Sequence, residues 1–299
     1  MKKGSNTSIL AGTLIVMYLL VFAAVSKNLD TPYLWFDEAI QFWISKGTDP
    51  YAAPLTKEGG MREVIMYNAD YNMDPGGFSL LLSFWSDFSS NHIWLRVLPF
   101  LFFIGSVISI VYLFNRWTGE LVLALLMGFM PLLAPMLLRM AFEVRAYSME
   151  ALGVLLGIMA IEQIRAKISF GRLIFWAIVL GVFMTSRYTF IIVAFCISLY
   201  VVYLILRSDD TIREKIMFFV SFSIPLLLSL LFTIKFALIK QNPDIEPSSY
   251  LPYLNQNPGL LVRPYNMIFL IIVLLLGIVL FRINKFPQLK KYQGLLAVT

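Results

Sequence analysis

The chain holds one cysteine and one histidine in 299 residues. Cys196 sits mid-segment in "IIVAFCISLYVV" and His92 opens an apolar run. This excludes a disulfide framework, a thiolate metal cluster and a multi-histidine metal cage. Charge is scarce as well. Asp, Glu, Lys and Arg make up 14% of the residues, against about a quarter in an ordinary soluble domain, while 59% are hydrophobic. That balance belongs to the membrane class. There is no P-loop, no Rossmann glycine pattern and no zinc spacing, and "MDPGG" lacks the lysine and the length of a phosphate cradle. A cytosolic ATPase or nucleotide-sugar domain is therefore not encoded, and no nucleic-acid partner is expected.

What the chain does have is long apolar runs. A helix needs about 20 apolar residues to cross a roughly 30 Å hydrocarbon core. Such runs fall at about 8–26, 92–115, 119–138, 146–164, 172–186, 188–206, 216–239 and 265–281. The expected fold is an all-α integral membrane protein of about eight transmembrane helices, a single multi-span domain over 1–299. The first run is longer than a signal-peptide core and ends without a clear cleavage site, so it reads as a retained span. Placing the N-terminus in the cytoplasm puts Lys2, Lys3, Arg116, Arg165, Lys167, Arg172, Arg207, Arg213, Lys215, Arg282, Lys285, Lys290 and Lys291 inside, on short segments where the positive-inside bias is informative. Most acids fall outside. The expected location is the inner or plasma membrane, multi-pass, with any active site extracytoplasmic.

Two outer segments are long, about 27–91 and 240–264. A structureless loop of the first length is uncommon, so it should contain helices. "FDEAIQFWISKG" suits one, with Asp37 as N-cap and Gly47 as stop. "GGFSLLLSFWSDF", 76–88, is apolar but too short to span and suits an interfacial helix. The final "YQGLLAVT" reads as the start of another apolar segment, which suggests a truncated chain or a short relative of a longer protein.

The outer face gathers the residues able to do chemistry. Asp37 and Glu38 come first, followed by Asp70 and Asp74 in "NADYNMDPGG". "LLRMAFEVRAYSMEAL" then supplies Arg139, Glu143, Arg145, Tyr147 and Glu150, and "TSRYTF" supplies Arg187. Paired carboxylates can share out proton transfer and ligand holding, although a helix cap with a first-turn acid gives the same pattern. Arg139, Glu143, Tyr147 and Glu150 recur at helical spacing and share one face if the helix runs through them. Arg139 is then the simplest partner for Glu150. Arg145 and Arg187 are suited to an anionic head group, because the guanidinium fork matches phosphate geometry. Arg187 also suits a hairpin tip with Tyr188 as interfacial anchor.

In order, the "DEA" pair, the "DP" before an apolar segment, "LRVLPF" and "EVRAY" resemble the type C (GT-C) membrane glycosyltransferases, over about residues 8–206. The bacterial branch similar to dolichyl-phosphate-mannose protein mannosyltransferases and lipid A aminoarabinose transferases is the one resembled. The resemblance implies an outward-facing site and a donor sugar carried on a polyprenyl phosphate, with a lipid, glycan or protein acceptor. It also implies Asp37 as catalytic base with Glu38 as companion, and Arg145 and Arg187 at the donor phosphate. Glu143 would share the site, with Tyr147 and Asp74 in support. The family often carries His-Pro-Pro where this chain has Asp74, Pro75 and Gly76, which bears on metal affinity and acceptor choice. A divalent metal on Glu38 or Asp74 is compatible with this set and not required by it. A transporter or lipid-sugar flippase, and a non-catalytic membrane subunit, are the alternative readings. A transporter would place ionisable residues near the bilayer midplane, and here nearly all acids sit at one face.

Overall fold

In the computed structural model the described residues are 3–239, apart from 32, 53–56 and 73. Their regular elements are helices, and the described residues contain no strand. Five helices are long and apolar enough to cross a membrane. These are α1 (Lys3–Val25), α5 (His92–Thr118), α9 (Tyr147–Ala166), α11 (Thr189–Arg207) and α12 (Ile212–Ile239), α1 continuing as a 3₁₀ turn to Asp30. The expected span at 265–281 and the second long loop lie outside the described residues. For the chain described, a multi-pass membrane protein follows.

Two expected spans differ from their sequence reading. The run 119–138 is broken into α6 (Leu121–Gly128), α7 (Met130–Leu133) and α8 (Pro135–Met140). Pro131 and Pro135 bring no backbone N–H, and the residue before a proline is pushed out of the α region. Ala134, with φ −93° and ψ 104°, is extended accordingly. The run 172–186 forms α10 (Phe170–Met184), 15 residues long. At about 1.5 Å per residue it is shorter than the roughly 30 Å hydrocarbon core.

The helices pack in a chain of neighbours: α1 on α6, α5 on α6 and α9, α9 on α10 and α11, and α10 on α12. Small residues let them approach. Gly153 and Gly157 of α9 face Phe190 and Ile197 of α11, while Gly181 of α10 faces Ser229 of α12. One core runs through Leu98, Met149, Ile161, Trp176, Leu180, Phe190, Ile197 and Phe222, and a second links Tyr18 of α1 to Phe100, Leu125 and Phe142.

The first long loop forms a cap over one end of the bundle, where α5, α9 and α11 begin. It contains α2 (Phe36–Ser45), α3 (Met61–Tyr71) and α4 (Gly77–Ser86). The expected helix after "WFDEA" and its stop at Gly47 are present, the stop because Gly47 takes φ +62°, a region costly for other residues. The expected interfacial helix at 76–88 is α4. The N-cap of α2 is Trp35 and not Asp37, which lies in the first turn. Glu38, at the third helical position, reaches back to accept from the Trp35 backbone N–H at 3.1 Å.

Buried amides tie the cap together. The Gln41 amide donates to Ser79 Oγ at 2.6 Å, Asn72 Nδ2 donates to Gln41 Oε1 at 2.8 Å, and Asn68 Nδ2 donates to the Asp74 carbonyl at 2.9 Å. These bonds join α2, α3 and α4. The indoles of Trp85 and Trp94 stack at 4.4 Å and each donates to the other's backbone carbonyl, which pins α4 to α5.

Candidate active site

Three folding events bring the site together. The Asp74-Pro75-Gly76-Gly77 turn packs against the tip of the α10–α11 hairpin, where the Gly77 N–H donates to the Thr185 carbonyl at 3.1 Å. A Cβ on Gly77 would land inside the Thr185 side chain, so only glycine permits this approach. Asp74 is thereby set beside Arg187. The chain also leaves helical geometry between Met140 and Tyr147, which turns Arg145 inward beneath the cap. Finally, Glu38 Oε1 accepts from the Val144 backbone N–H at 2.9 Å and holds that irregular stretch against α2.

The result is a row of alternating charges. Asp37 meets Arg145 Nη1 at 3.2 Å, and Arg145 Nη2 lies 3.8 Å from Asp74. Asp74 accepts from Arg187 Nε at 3.1 Å, and Arg187 Nη1 reaches Glu150 at 3.3 Å. Glu150 also accepts from the Thr189 hydroxyl. The ring of Tyr147 lies beneath both guanidiniums, 5.7 Å from Arg145 and 4.6 Å from Arg187. Burial opposes the charge on Arg187, yet Asp74 and then Glu150 outweigh it and hold its pKa above the ordinary value. Of the three acids Asp37 is the most open, its side chain 39% exposed against 9% for Asp74 and 19% for Glu150.

No family model, curated protein or solved structure matches the chain.

Of the residues singled out in the sequence, Asp37, Asp74, Arg145, Tyr147 and Arg187 converge in this row. Glu150 joins them with Arg187, not Arg139, as its partner. The shared face of Arg139, Glu143, Tyr147 and Glu150 does not form, because 141–146 is not helical; only the Arg139–Glu143 pair survives, at 3.0 Å. Glu143 therefore stands outside the row. It lines a separate cleft of about 460 Å³ with Tyr33, Glu38, Arg96, Arg139 and Phe142.

Glu38 is a structural tie rather than an open carboxylate. It is 1% exposed and accepts from Arg96 Nη2 at 3.0 Å in addition to the Trp35 and Val144 N–H groups. Burial raises its pKa, against the pull of those two N–H groups and the Arg96 charge. With its oxygens engaged in this way Glu38 does not fit a metal, and Asp74 is held between two arginines. Among the described residues no three His, Cys, Asp or Glu side chains form a metal-holding group.

Arg96, buried in α5, received no role from the sequence. The signal was present, since a cation within an apolar span calls for a buried partner. The amide network of Gln41, Asn68 and Asn72 carried no such signal.

Two spaces adjoin the row. An apolar groove of about 310 Å³, walled by Phe103, Ile110, Leu137, Val154 and Leu155, ends at Tyr147. On the other side a polar cleft of about 210 Å³ opens between Asp37, Arg145, Gln41, Tyr51, Tyr71 and Asn72.

Proposed function

We propose that the chain is a membrane glycosyltransferase of GT-C type that moves a sugar from a polyprenyl-phosphate donor to an acceptor hydroxyl at the capped, extracytoplasmic end of its multi-span helical bundle. The observation that carries the reading is the meeting of three environments at one place. An apolar groove suited to a lipid tail leads to Tyr147, two arginines suited to a phosphate stand over that ring, and the half-exposed carboxylate of Asp37 follows beside a polar cleft. The resemblance seen in the sequence supports the same assignment.

In this mechanism the acceptor oxygen attacks the anomeric carbon and its proton passes to Asp37. The bond from that carbon to the phosphate oxygen breaks, and polyprenyl phosphate leaves with the electron pair. Charge grows on the phosphate as the bond breaks, where fixed cations contribute most. Arg145 and Arg187 supply them, already oriented by Asp74 and Tyr147. The donor phosphate takes the place of Asp37 on Arg145 and frees the carboxylate to act as base. Glu38 acts through position alone, by holding Val144, and hence Arg145, against α2. The row lies where helices begin, not at mid-helix, which sets this reading ahead of a midplane transporter site.

The test is sugar transfer from a polyprenyl-phosphate donor in vesicles, comparing wild type with Asp37→Asn. Loss of general-base help lowers the rate by about 10²–10⁴-fold with donor binding retained. Near-normal transfer by the variant overturns the assignment of Asp37.

A further inference from the structure

The cleft beside Asp37 has more character than a base needs. Tyr51 and Tyr71 stand 5.2 Å apart at 58° and form an aromatic corner. The Tyr71 hydroxyl donates to Asp49 at 3.2 Å, which fixes its ring. Across the cleft, Asn72 donates to both Gln41 Oε1 at 2.8 Å and Asn68 Oδ1 at 3.1 Å. With both amide hydrogens engaged, its carbonyl oxygen remains to accept. Asp37 adds an acceptor and Arg145 adds donors. The volume, about 210 Å³, is below the roughly 300 Å³ at which pockets for drug-sized ligands begin.

One small molecule class combines these demands. A pyranose ring has an apolar C–H face that lies on aromatic rings and a rim of hydroxyls that both donate and accept. We propose that this cleft is a carbohydrate subsite for a single pyranose ring, its face on Tyr51 and Tyr71 and its hydroxyls on Asp37, Asn72 and Arg145. The subsite rests on the transferase reading for its use, and it makes Tyr51 and Tyr71 determinants of which sugar is handled. The ring can belong to the lipid-linked donor or to a glycan acceptor, since both present the same face and rim.

The experiment is saturation-transfer NMR on the full chain in nanodiscs, titrated with methyl pyranosides of the manno, gluco and galacto series. At least one binds saturably, and Tyr51→Ala and Tyr71→Ala each weaken it about tenfold, the size of one lost aromatic contact. Tyr51→Phe keeps the ring and stays near wild type, while Tyr71→Phe keeps the ring but loses its Asp49 anchor and weakens binding less than Tyr71→Ala. Displacement of the glycoside by a polyprenyl-phosphate sugar, but not by polyprenyl phosphate alone, assigns the ring to the donor. Glycoside binding that persists beside the loaded donor assigns it to the acceptor. Absence of saturable binding, or binding unchanged in both alanine variants, overturns the subsite. The two readings fail separately. Glycoside binding without any polyprenyl-phosphate binding sinks the transferase and leaves the subsite, and the reverse result sinks the subsite alone.

Discussion

Adjacent in the chain, Asp37 and Glu38 live in different surroundings because consecutive helical side chains point about 100° apart. Asp37 faces the cleft and Arg145, while Glu38 faces the bundle and Arg96. The buried Glu38–Arg96 pair is sensitive to loss of one member, since the survivor keeps a buried charge without compensation. Arg96→Met is expected to lower stability by about 3–5 kcal/mol, read from the unfolding midpoint in detergent. The double variant Arg96→Met, Glu38→Leu removes the stranded charge but recovers only part of that loss, because the Trp35 and Val144 N–H groups lose their acceptor. The raised pKa of Glu38 adds a pH dependence of fixed sign. An acid with a higher pKa in the folded chain binds its proton more tightly there. Its contribution to stability is therefore complete below the unfolded value, near 4.5, and is lost as pH rises through the folded value. Relative to Glu38→Gln, wild type should lose stability as pH is raised from acid towards neutral. A difference that does not vary with pH would count against the assigned environment.

Among the elements, the glycine turn before α4 decides whether a site exists at all. Gly77 lets the cap touch the α10–α11 tip, and that contact sets Asp74 beside Arg187. Gly77→Ala forces the two apart and is expected to cost about 1–3 kcal/mol, as overpacking does. It should also weaken lipid-phosphate binding, because Asp74 no longer orients Arg187. Gly171→Ala is the control: nothing lies within 4 Å of that position, so the change should be neutral or slightly stabilising. A Gly77→Ala protein with wild-type midpoint and binding would show that the turn does not position the site. At this scale the sequence was readable where a local rule governs. α2, its stop at Gly47, α4 and the Arg187 hairpin tip all follow from apolar pattern and turn residues. The break of the third run was also written locally, in Pro131 and Pro135, but an apolar count weighs composition and passes over the prolines. The helix 61–71 lacked an apolar signature and went unseen.

For the whole molecule, the membrane class and the gathering of Asp37, Asp74, Arg145, Tyr147 and Arg187 at one end could be read from hydropathy and charge placement. Their pairing could not. Which acid meets which arginine depends on the non-helical 141–146 stretch and on contacts between segments more than a hundred residues apart, such as Asp74 with Arg187. Extending the helix through 141–146 paired Glu150 with Arg139, while the resemblance drew Glu143 into the site, where the structure sets it with Arg139 in the neighbouring cleft. The central claim is that the charge row forms one lipid-phosphate site. Its most direct test is the affinity of the purified chain for polyprenyl phosphate in Arg187→Gln, Arg145→Gln and Arg139→Gln. Losing a charge-assisted contact, worth about 1.5–3 kcal/mol, weakens binding about 10- to 100-fold in the first two and leaves the third near wild type, because Arg139 pairs with Glu143 outside the row. Unchanged binding in Arg187→Gln and Arg145→Gln, or an equal loss in Arg139→Gln, would contradict it.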